Sequence, residues 1–312
     1  MKGLVIKNTG SWVTVRLEDG GGVVDCKMRG VLRLKGLRCT NPVAVGDIVQ
    51  VEDKGGDAPV VGAIEPRRNY IIRRASNLSK EFQIIAANLD QAVLVATLFN
   101  PETSTTFIDR FLATAEAYQV PAVIAFNKVD LLSTDESRQY LDELKTMYES
   151  IGYPVITMSA TTGEGADALR EQLSGKMSLL SGNSGVGKSS IINLLVPDAH
   201  VRVGYVSQTH HKGMHTTTFS ELLDLPGGGA IIDTPGVKAF GTIDFERAEV
   251  AHYFPEIFNI SKDCRFNNCT HTHEPGCAVL EAVERGDIAY SRFVSYLSIL
   301  DEDPNNKYRK PF

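Results

Sequence analysis

The chain of 312 residues has no long apolar run, and no segment approaches the roughly 20 apolar residues that a membrane-spanning helix needs. The segment 1–8, MKGLVIKN, has neither an apolar core nor a cleavage signature, so export is not indicated. Cysteine is scarce, with 5 residues, and three of these fall between Cys264 and Cys277, which does not suit a disulfide framework. We therefore expect a cytoplasmic protein that does not contact membranes.

An excess of positive charge is also missing. The 32 lysines and arginines are outnumbered by 38 acidic residues, which gives a formal net charge of −6. The chain as a whole is thus not a generally basic nucleic-acid binder, and any such binding has to rest on local charge. Apolar residues make up 43% and charged residues 22%, which is ordinary for a globular protein, and the length is sufficient for two or three domains.

Short strands separated by turn signals are predicted throughout residues 1–65. The turn clusters are Asp19–Gly22 and Asn41–Pro42. So many short strands in this length favour a small barrel, and the OB-fold is the commonest barrel of this kind that binds RNA. The predicted strands are Gly3–Lys7, Trp12–Leu17, Val23–Met28, Val31–Lys35, Asp47–Glu52 and Val60–Ile64.

One stretch of this domain has a basic face if it is extended. Lys27, Arg29, Arg33 and Lys35 alternate with apolar residues, so they would share one side of a strand. This pattern predicts a face that contacts RNA phosphates. A solvated strand face explains the same pattern equally well.

A polar stretch from Pro66 to Lys80 contains several arginines and is interpreted as a linker. Beyond it, apolar runs alternate with segments of helical spacing, which is typical of a parallel sheet covered by helices on both faces. We expect a domain over 66–240. Its predicted strands are Gln91–Leu98, Pro121–Phe126, Pro154–Met158, Met177–Ser181, Thr218–Leu225 and Ala230–Asp233, and its helices are Thr105–Tyr118, Glu136–Ser150, Ala166–Leu173 and one starting near Ser190.

The segment 182–189, GNSGVGKS, fits the phosphate-binding pattern G-x-x-x-x-G-K-[ST] and lies between a predicted strand and a predicted helix. Glycines let several backbone N–H groups point at phosphates, and the helix N-terminus adds its positive dipole. Lys188 supplies a charge for the β- and γ-phosphates, and Ser189 supplies a hydroxyl for Mg²⁺. The predicted phosphate-binding residues are Gly182, Asn183, Ser184, Gly185, Val186, Gly187, Lys188, Ser189 and Ser190.

Two further motifs follow predicted strands and point to guanine. Asn127, Lys128, Val129 and Asp130 form N-K-x-D directly after Pro121–Phe126, where side chains reach the ligand crevice. The Asp130 carboxylate can accept hydrogen bonds from N1–H and the N2 amino group of guanine, a pair of donors that adenine lacks. Ser159 and Ala160 follow the next strand and would support the base.

The remaining GTPase motifs lie further along the chain. Asp233 begins D-T-P-G, in which the carboxylate suits a water-mediated Mg²⁺ contact and the Gly236 N–H suits the γ-phosphate. A threonine of the segment 214–218, MHTTT, would complete Mg²⁺ coordination, and Thr217 is our choice. N-K-x-D and Ser159 precede the phosphate loop here, whereas they follow it in Ras-like GTPases. The order therefore predicts a circularly permuted Ras-like GTPase domain of the α/β class.

The C-terminal part, 241–312, contains the pattern C-x4-C-x-H-x5-C. Cys264, Cys269, His271 and Cys277 offer three thiolates and an imidazole, the donor set of a closed tetrahedral zinc site. His273 is a competing candidate, which we expect to be solvated or to lie outside the ligand set. We predict one structural Zn²⁺ per chain in a helical module, with helical spacing over Ala278–Leu300 and partly helical structure over Phe245–Phe258.

The combination of barrel, permuted GTPase and cysteine–histidine module resembles the RsgA (YjeQ/YloQ) family of small ribosomal subunit biogenesis GTPases. The segments 182–190, 213–218 and 233–237 are similar to that family's motifs. The resemblance covers essentially the whole chain. It implies a monomeric enzyme that hydrolyses GTP with Mg²⁺, faster on the small ribosomal subunit, whose rRNA it binds during late maturation.

Two positions depart from other GTPases. Val237 stands where Ras-like proteins have the glutamine that orients the attacking water, and valine cannot do this. His215, beside the switch threonines, is our candidate for that role, with Lys188 and Thr217 as the other catalytic residues. His215 as a solvent-exposed residue or an rRNA contact is the alternative. Gly185 occupies the position where potassium-stimulated GTPases have asparagine, so no potassium site is expected.

Two other functions remain open from the sequence. One is a GTP-gated RNA-binding module in which hydrolysis is incidental, and the other is a permuted GTPase that acts on the large subunit. Retention of Lys188, Ser189 and Asp233 favours hydrolysis, while the barrel and the cysteine–histidine module argue against the large subunit.

Overall fold

The computed structural model describes residues 1–18, 20–28, 39–53, 55, 58–74, 82–199, 220–233 and 245–302. None of the helices in these ranges has the length and the apolar character needed to cross a membrane. The predicted strand Val31–Lys35 and the site residues Arg29, Arg33, Lys35, His215, Thr217 and Gly236 lie outside the described ranges.

The N-terminal strands close into a five-stranded barrel, as predicted. Around it, β1 pairs with β2, β2 with β3, β3 with β6 in parallel, β6 with β5, and β5 again with β1. This order with one parallel pair is that of an OB-fold. Alternate residues, among them Val5, Val13 and Val49, are fully buried inside it. The strands of this region are β1 Lys2–Asn8, β2 Trp12–Leu17, β3 Val23–Met28, β4 Cys39–Asn41, β5 Ile48–Glu52 and β6 Val60–Ile64.

The interpretation of residues 66–80 as a linker is wrong for the described part. Tyr70–Arg74 forms β7, which pairs with β8, Phe82–Ala87, and β4 joins the other edge of β8. Ile71 is fully buried, and the Arg67 guanidinium donates to both Asp47 oxygens at 2.6 Å, with the two side chains only 7% and 0% exposed. Arg67 thus belongs to a buried ion pair, so a high arginine content does not mark a linker here.

A six-stranded sheet forms the next part of the molecule, in the order β11–β10–β9–β12–β14–β13. The first five strands are mutually parallel and β13 is antiparallel. The order matches a Ras-like sheet whose chain begins at a different strand. The elements are β9 Gln91–Ala96, α1 Thr105–Ala117, β10 Ala122–Phe126, α2 Asp135–Ile151, β11 Val155–Thr157, α3 Ala166–Leu173, β12 Met177–Ser181, α4 Lys188–Leu195, β13 Glu221–Asp224 and β14 Ala230–Asp233.

Both faces of this sheet are covered, which explains why its central strands are largely apolar. On β9, Leu94 packs in one core with α1 and α2, while Val93 and Val95 pack in a second core with α3 and α4. Successive side chains of a strand point to opposite faces, so the continuous apolar sequence of β9 serves both cores. This arrangement leaves the carboxyl ends of the strands as the edge where polar side chains emerge.

Within residues 245–302, the C-terminal module contains three α-helices: α5 Pro255–Ser261, α6 Ala278–Arg285 and α7 Tyr290–Leu300. The prediction of one continuous helix over Ala278–Leu300 is wrong, because Gly286 adopts a φ of 81° and caps the C-terminus of α6. Helical spacing resumes in α7, which hides the break in the apolar pattern. The partly helical prediction for Phe245–Phe258 is confirmed by a short 3₁₀ turn over Val250–Tyr253 and by α5.

Strand pairing and buried ion pairs join these parts of the molecule. The barrel and the six-stranded sheet are continuous, because β1 pairs with β13 at Lys7 and Glu221. The C-terminal module docks through Arg292 of α7, which is fully buried and donates to Asp109 of α1 at 2.9 Å and to Glu256 of α5 at 2.7 Å. Tyr148 of α2 donates its hydroxyl to the same Asp109 oxygen at 2.9 Å.

Candidate nucleotide site and metal centre

The predicted phosphate loop connects β12 to α4, with its two outer glycines in conformations that require glycine. Gly182 has a φ of 143°, and a Cβ there would lie 2.3 Å from the Val95 carbonyl oxygen. Gly187 has a φ of 98°, and a Cβ there would lie 2.3 Å from the Asn127 amide nitrogen. The Val95 backbone at Gly182 and the Asn127 side chain at Gly187 therefore leave no room for a Cβ, and the positive φ angles also favour glycine.

Lys188 opens α4 and lies over the loop. Its Nζ donates to the carbonyl oxygens of Gly182 and Asn183, each at 2.7 Å. Burial lowers the pKa of Lys188, and the charge of Asp233 opposes that effect. Asp233 ends β14 in register with Leu180 of β12, which places the two motifs on adjacent strands. An ammonium and a carboxylate thus meet at one edge of the sheet, with Ser189 directly after the lysine.

Asn127 connects three loops. Its Nδ2 donates to the Val186 carbonyl at 2.8 Å, and its Oδ1 accepts from the Ala160 N–H at 2.9 Å. The residue is only 4% exposed, so both amide atoms depend on these partners. The phosphate loop, the N-K-x-D loop and the loop after β11 are therefore held as one unit.

Lys128 and Asp130 complete the N-K-x-D loop. Lys128 has a φ of 66°, and its Nζ donates to the Gly185 carbonyl at 2.7 Å and also to the Asn100 carbonyl. Burial lowers the pKa of Lys128, while Asp130 opposes that effect. Asp130 lies in a 3₁₀ turn over Val129–Leu131 and is exposed. The Asp130 carboxylate is thus accessible to a ligand, while Lys128 ties the N-K-x-D loop to the phosphate loop and to Asn100.

The loop after β11 is organised by Ser159, which is fully buried. Its hydroxyl accepts hydrogen bonds from the N–H groups of Thr161 and Thr162 at 3.2 and 3.1 Å. The sequence reasoning missed Asn100, which contributes a carbonyl to this edge. The signal was available, because Asn100 precedes a proline just beyond the carboxyl end of β9, where ligand sites form in α/β sheets.

The four predicted metal ligands lie together in the C-terminal module. Their donor atoms are all within 4.8 Å of one another. The Cys264 and Cys277 sulfurs are 3.9 Å apart, and the His271 Nδ1 lies 3.5 and 3.4 Å from them. A tetrahedron with the usual zinc bond lengths has edges of roughly 3.5–3.8 Å, so the residues fit such an ion. Burial lowers the pKa of His271, which favours the neutral imidazole that a ligand must be.

Several groups around this cluster hold the ligand loop. The Cys277 sulfur accepts from the Leu280 N–H at 3.5 Å at the start of α6. The Glu274 carboxylate accepts from the N–H groups of Thr270 and Thr272, at 2.7 and 2.9 Å. Burial would raise the pKa of Glu274, but hydrogen bonds from the Thr270 hydroxyl and from the Thr270 and His273 N–H groups lower it strongly. No sequence pattern indicates this role of Glu274.

The two histidines of this loop differ in position. His271 is 3% exposed and faces the three sulfurs, whereas His273 is exposed and lies 2.8 Å from the Thr272 hydroxyl. The geometry therefore separates the candidate that the sequence favoured from its competitor.

Of the predicted RNA face, the structure describes Lys27. It is exposed on β3, and its Nζ lies 5.3 Å from the centre of the Trp12 ring on β2. Trp12 is itself 40% exposed. A cation beside an exposed aromatic ring provides both a phosphate contact and a stacking surface.

Comparison with known proteins agrees with this arrangement. The model of the RsgA GTPase family matches residues 64–243, and that of the RsgA N-terminal domain matches residues 2–61. The small ribosomal subunit biogenesis GTPase RsgA of Bacteroides fragilis is 59% identical over 312 residues, which is 100% of both chains.

Two solved structures are also similar. YjeQ from Thermotoga maritima is 35% identical, with a TM-score of 0.77 and 96% of each chain covered. YloQ, a circularly permuted GTPase, is 30% identical, with a TM-score of 0.74 and with 99% of this chain and 96% of the other covered. The chain therefore belongs to the RsgA family of circularly permuted GTPases.

Proposed function

We propose that the protein binds the small ribosomal subunit late in its maturation and hydrolyses GTP to GDP and phosphate, with the subunit stimulating the reaction. The observation that carries this proposal is the junction at Asn127, where the phosphate loop and the guanine-reading loop are joined by hydrogen bonds. Such a junction aligns the base and the phosphates of one nucleotide.

Asp130 accepts the two hydrogen bonds that guanine offers at N1 and N2. An adenine would leave the carboxylate unpaired, and a site of this type rejects such an analogue by ~10⁴ or more. Lys188 and the N–H groups of residues 182–190 hold the β- and γ-phosphates. Ser189 and Thr217 would hold Mg²⁺, with Asp233 and the Gly236 N–H beside the γ-phosphate. When bound, Mg²⁺ neutralises the charge that develops on the phosphates.

In this proposal His215 orients the attacking water, because Val237 cannot. The variant His215→Ala should then lose most of the subunit-stimulated turnover and keep normal binding of GTP and of the subunit. Stimulation equal to that of the parent protein would remove His215 from the mechanism. Loss of subunit binding would identify it as a contact residue.

The other parts of the chain support this activity. The barrel, residues 1–65, contacts rRNA through Lys27, Arg29, Arg33 and Lys35, and the GTPase domain spans 66–240. The module 241–312 contains one structural Zn²⁺, held by Cys264, Cys269, His271 and Cys277. We propose that the protein acts as a monomer in the cytoplasm, where small subunits mature.

Co-sedimentation tests the proposed partner. Purified small and large subunits are centrifuged with the protein in the presence of GDP or of a non-hydrolysable GTP analogue. The expected result is retention on small subunits that is stronger with the analogue. Equal retention on both subunits, or retention that does not depend on the nucleotide, would contradict the proposal.

A further inference from the structure

A cleft of about 620 Å³ separates α2 of the GTPase domain from the turn that joins α6 to α7. Within its lining Ile288 is buried, and Met147, Ile151 and Glu256 are half-buried, so the bottom of the cleft is largely apolar with one carboxylate beside it. The hydroxyl groups of Thr146 and Ser150 are exposed within its lining. The volume lies in the range of pockets that bury a ligand or several side chains.

The charge in this cleft has one sign. Asp142, Glu143, Glu256 and Asp287 line it, and no lysine, arginine or histidine does. Glu256 forms an ion pair with the buried Arg292, and Asp287 forms an ion pair with Arg285 on the surface. Asp142 and Glu143 are exposed, and neither forms an ion pair with any residue in the part of the chain that the structure describes. The rim on α2 therefore presents uncompensated negative charge.

On each wall of the cleft, one lining residue is followed in sequence by an exposed tyrosine. Tyr140, 49% exposed, follows the lining residue Gln139 on α2. Tyr290, 72% exposed, follows the lining residue Ala289 at the start of α7. Exposed tyrosines beside an apolar depression are the residues that anchor protein partners, since they add large contact area at low entropic cost.

We propose that this acidic cleft binds a lysine- and arginine-rich protein segment that carries an apolar side chain. The acidic rim attracts the cationic groups, whose aliphatic stems pack on apolar walls, and the apolar side chain fills the bottom. The same rim repels the phosphates of RNA, so the cleft distinguishes a basic protein from the nucleic acid around it.

The cleft lies at the boundary between the GTPase domain and the C-terminal module. One wall belongs to α2 and the other to the C-terminal module, so a bound segment contacts both. Binding at this cleft is a property separate from GTP hydrolysis, and its test requires neither nucleotide nor ribosomal subunits. If the cleft did not bind such a segment, the proposed function would therefore be unaffected.

Fluorescence anisotropy with the full-length chain tests the proposal. The probe is a fluorescein-labelled dodecapeptide of lysine and arginine with a central leucine. The variant Asp142→Lys/Glu143→Lys should weaken binding of this peptide at least tenfold. The control Asp167→Lys/Glu171→Lys changes two exposed acids of α3, on the other face of the sheet, and alters the net charge equally. It should stay within twofold of the parent protein.

The other outcomes are equally decisive. Equal losses in the two variants would show general attraction to an acidic protein and overturn the proposal. The chain's own segment 307–310, KYRK, is a rival occupant. If Lys307→Glu/Arg309→Glu/Lys310→Glu strengthens peptide binding at least fivefold, that segment is the natural occupant and the proposal is wrong. Should the double lysine variant fail to fold, Asp142→Asn/Glu143→Gln must weaken binding at least threefold.

Discussion

Asn127 shows how one side chain can organise a nucleotide site. Its amide group joins the phosphate loop at Val186 to the loop after β11 at Ala160, with distances of 2.8 and 2.9 Å. A Cβ at Gly187 would lie 2.3 Å from the same amide nitrogen, so the asparagine and the glycine depend on each other. Two motifs that are more than fifty residues apart in sequence are thus parts of one local structure.

We expect guanine selectivity to depend on the carboxylate of Asp130, which is exposed. The variant Asp130→Asn should reverse the preference from GTP toward xanthosine triphosphate, because an amide donor pairs with the carbonyl group at C2 of xanthine. Competition binding with the two nucleotides measures the shift. Preference for GTP that remains as in the parent protein would show that Asp130 does not read the base.

A second prediction about single residues concerns the cluster of four candidate metal ligands. Cys264→Ser should reduce the zinc content from one ion per chain to far below one, and it should destabilise the C-terminal module, because binding of a structural zinc contributes directly to folding. GTP affinity should change less than twofold, since the cluster is in a different module from Lys188.

His273→Ala is the matched control, because this exposed histidine lies outside the cluster of four donors. That variant should keep its zinc. Elemental analysis of protein purified without chelators provides the measurement. Absence of zinc from the parent protein would contradict the assignment.

Candidate site residues could be proposed from the sequence because phosphates, guanine and a tetrahedral metal each require particular donors at particular spacings. The sequence could not predict contacts that depend on tertiary structure. The link from Lys128 to the Gly185 carbonyl, at 2.7 Å, joins separate loops and requires a left-handed backbone at the lysine. The hydrogen bonds of Glu274 likewise depend on how the metal loop folds.

Among the secondary-structure elements, the strongly periodic ones were predictable and the context-dependent ones were not. Apart from Gln91, β9 and β10 are apolar because helices cover both faces of the sheet. β7 was missed because its sequence, YIIRR, has arginines that resemble a polar linker, and its pairing with β8 forms a separate small sheet. The break at Gly286 was missed because apolar spacing continues on both sides of it.

β13 is the element that connects the barrel to the nucleotide site. It pairs with β1 of the barrel, and a tight turn leads from it to β14, which ends at Asp233. Arg16 of β2 donates to both oxygens of Asp224 on β13, at 3.0 and 2.7 Å. The barrel is therefore in direct contact with the strand that precedes β14 and its Asp233 motif.

We expect Asp224→Arg to lower subunit-stimulated GTP turnover roughly two- to fivefold, which corresponds to the ~0.5–1 kcal/mol of an exposed ion pair. Turnover without subunits should not change, because Asp224 is remote from the phosphate loop in the sheet order. The exchange Arg16→Asp/Asp224→Arg should restore stimulation. If the single variant is stimulated as strongly as the parent, this contact does not transmit the effect of the subunit.

For the molecule as a whole, the buried ion pairs of Arg292 hold the C-terminal module against the GTPase domain. Arg292 and Asp109 are fully buried, and Glu256 is 13% exposed. Replacing Arg292 with methionine leaves two carboxylates without their cation, so unfolding free energy should fall by about 3–5 kcal/mol in urea denaturation. Arg247→Met removes an exposed pair with Asp301 and should cost less than ~0.5 kcal/mol. Similar losses in both variants would contradict this account.

Burial raises the pKa of Asp109, although Arg292 and Tyr148 oppose the rise. The folded chain therefore binds this proton more tightly than the unfolded chain does. The stability that this group contributes is complete below its ordinary pKa and is lost as the pH rises through the folded value. Asp109→Asn should remove that part of the pH dependence and keep the Tyr148 hydrogen bond. Urea denaturation at pH values from 3.8 upward measures the unfolding free energy of both proteins. The same slope of unfolding free energy against pH in both proteins would refute the prediction.

The central claim is that an RNA-binding barrel, a permuted GTPase and a metal module form one small-subunit-stimulated enzyme. The most direct measurement is GTP turnover by the full-length protein alone, with purified small subunits and with purified large subunits. Alone, the protein should be slow, at ~10⁻⁴ to 10⁻² per second, as for unassisted GTPases. Small subunits should accelerate turnover at least tenfold and large subunits less than twofold. Equal turnover under all three conditions, or acceleration by the large subunit, would contradict the account.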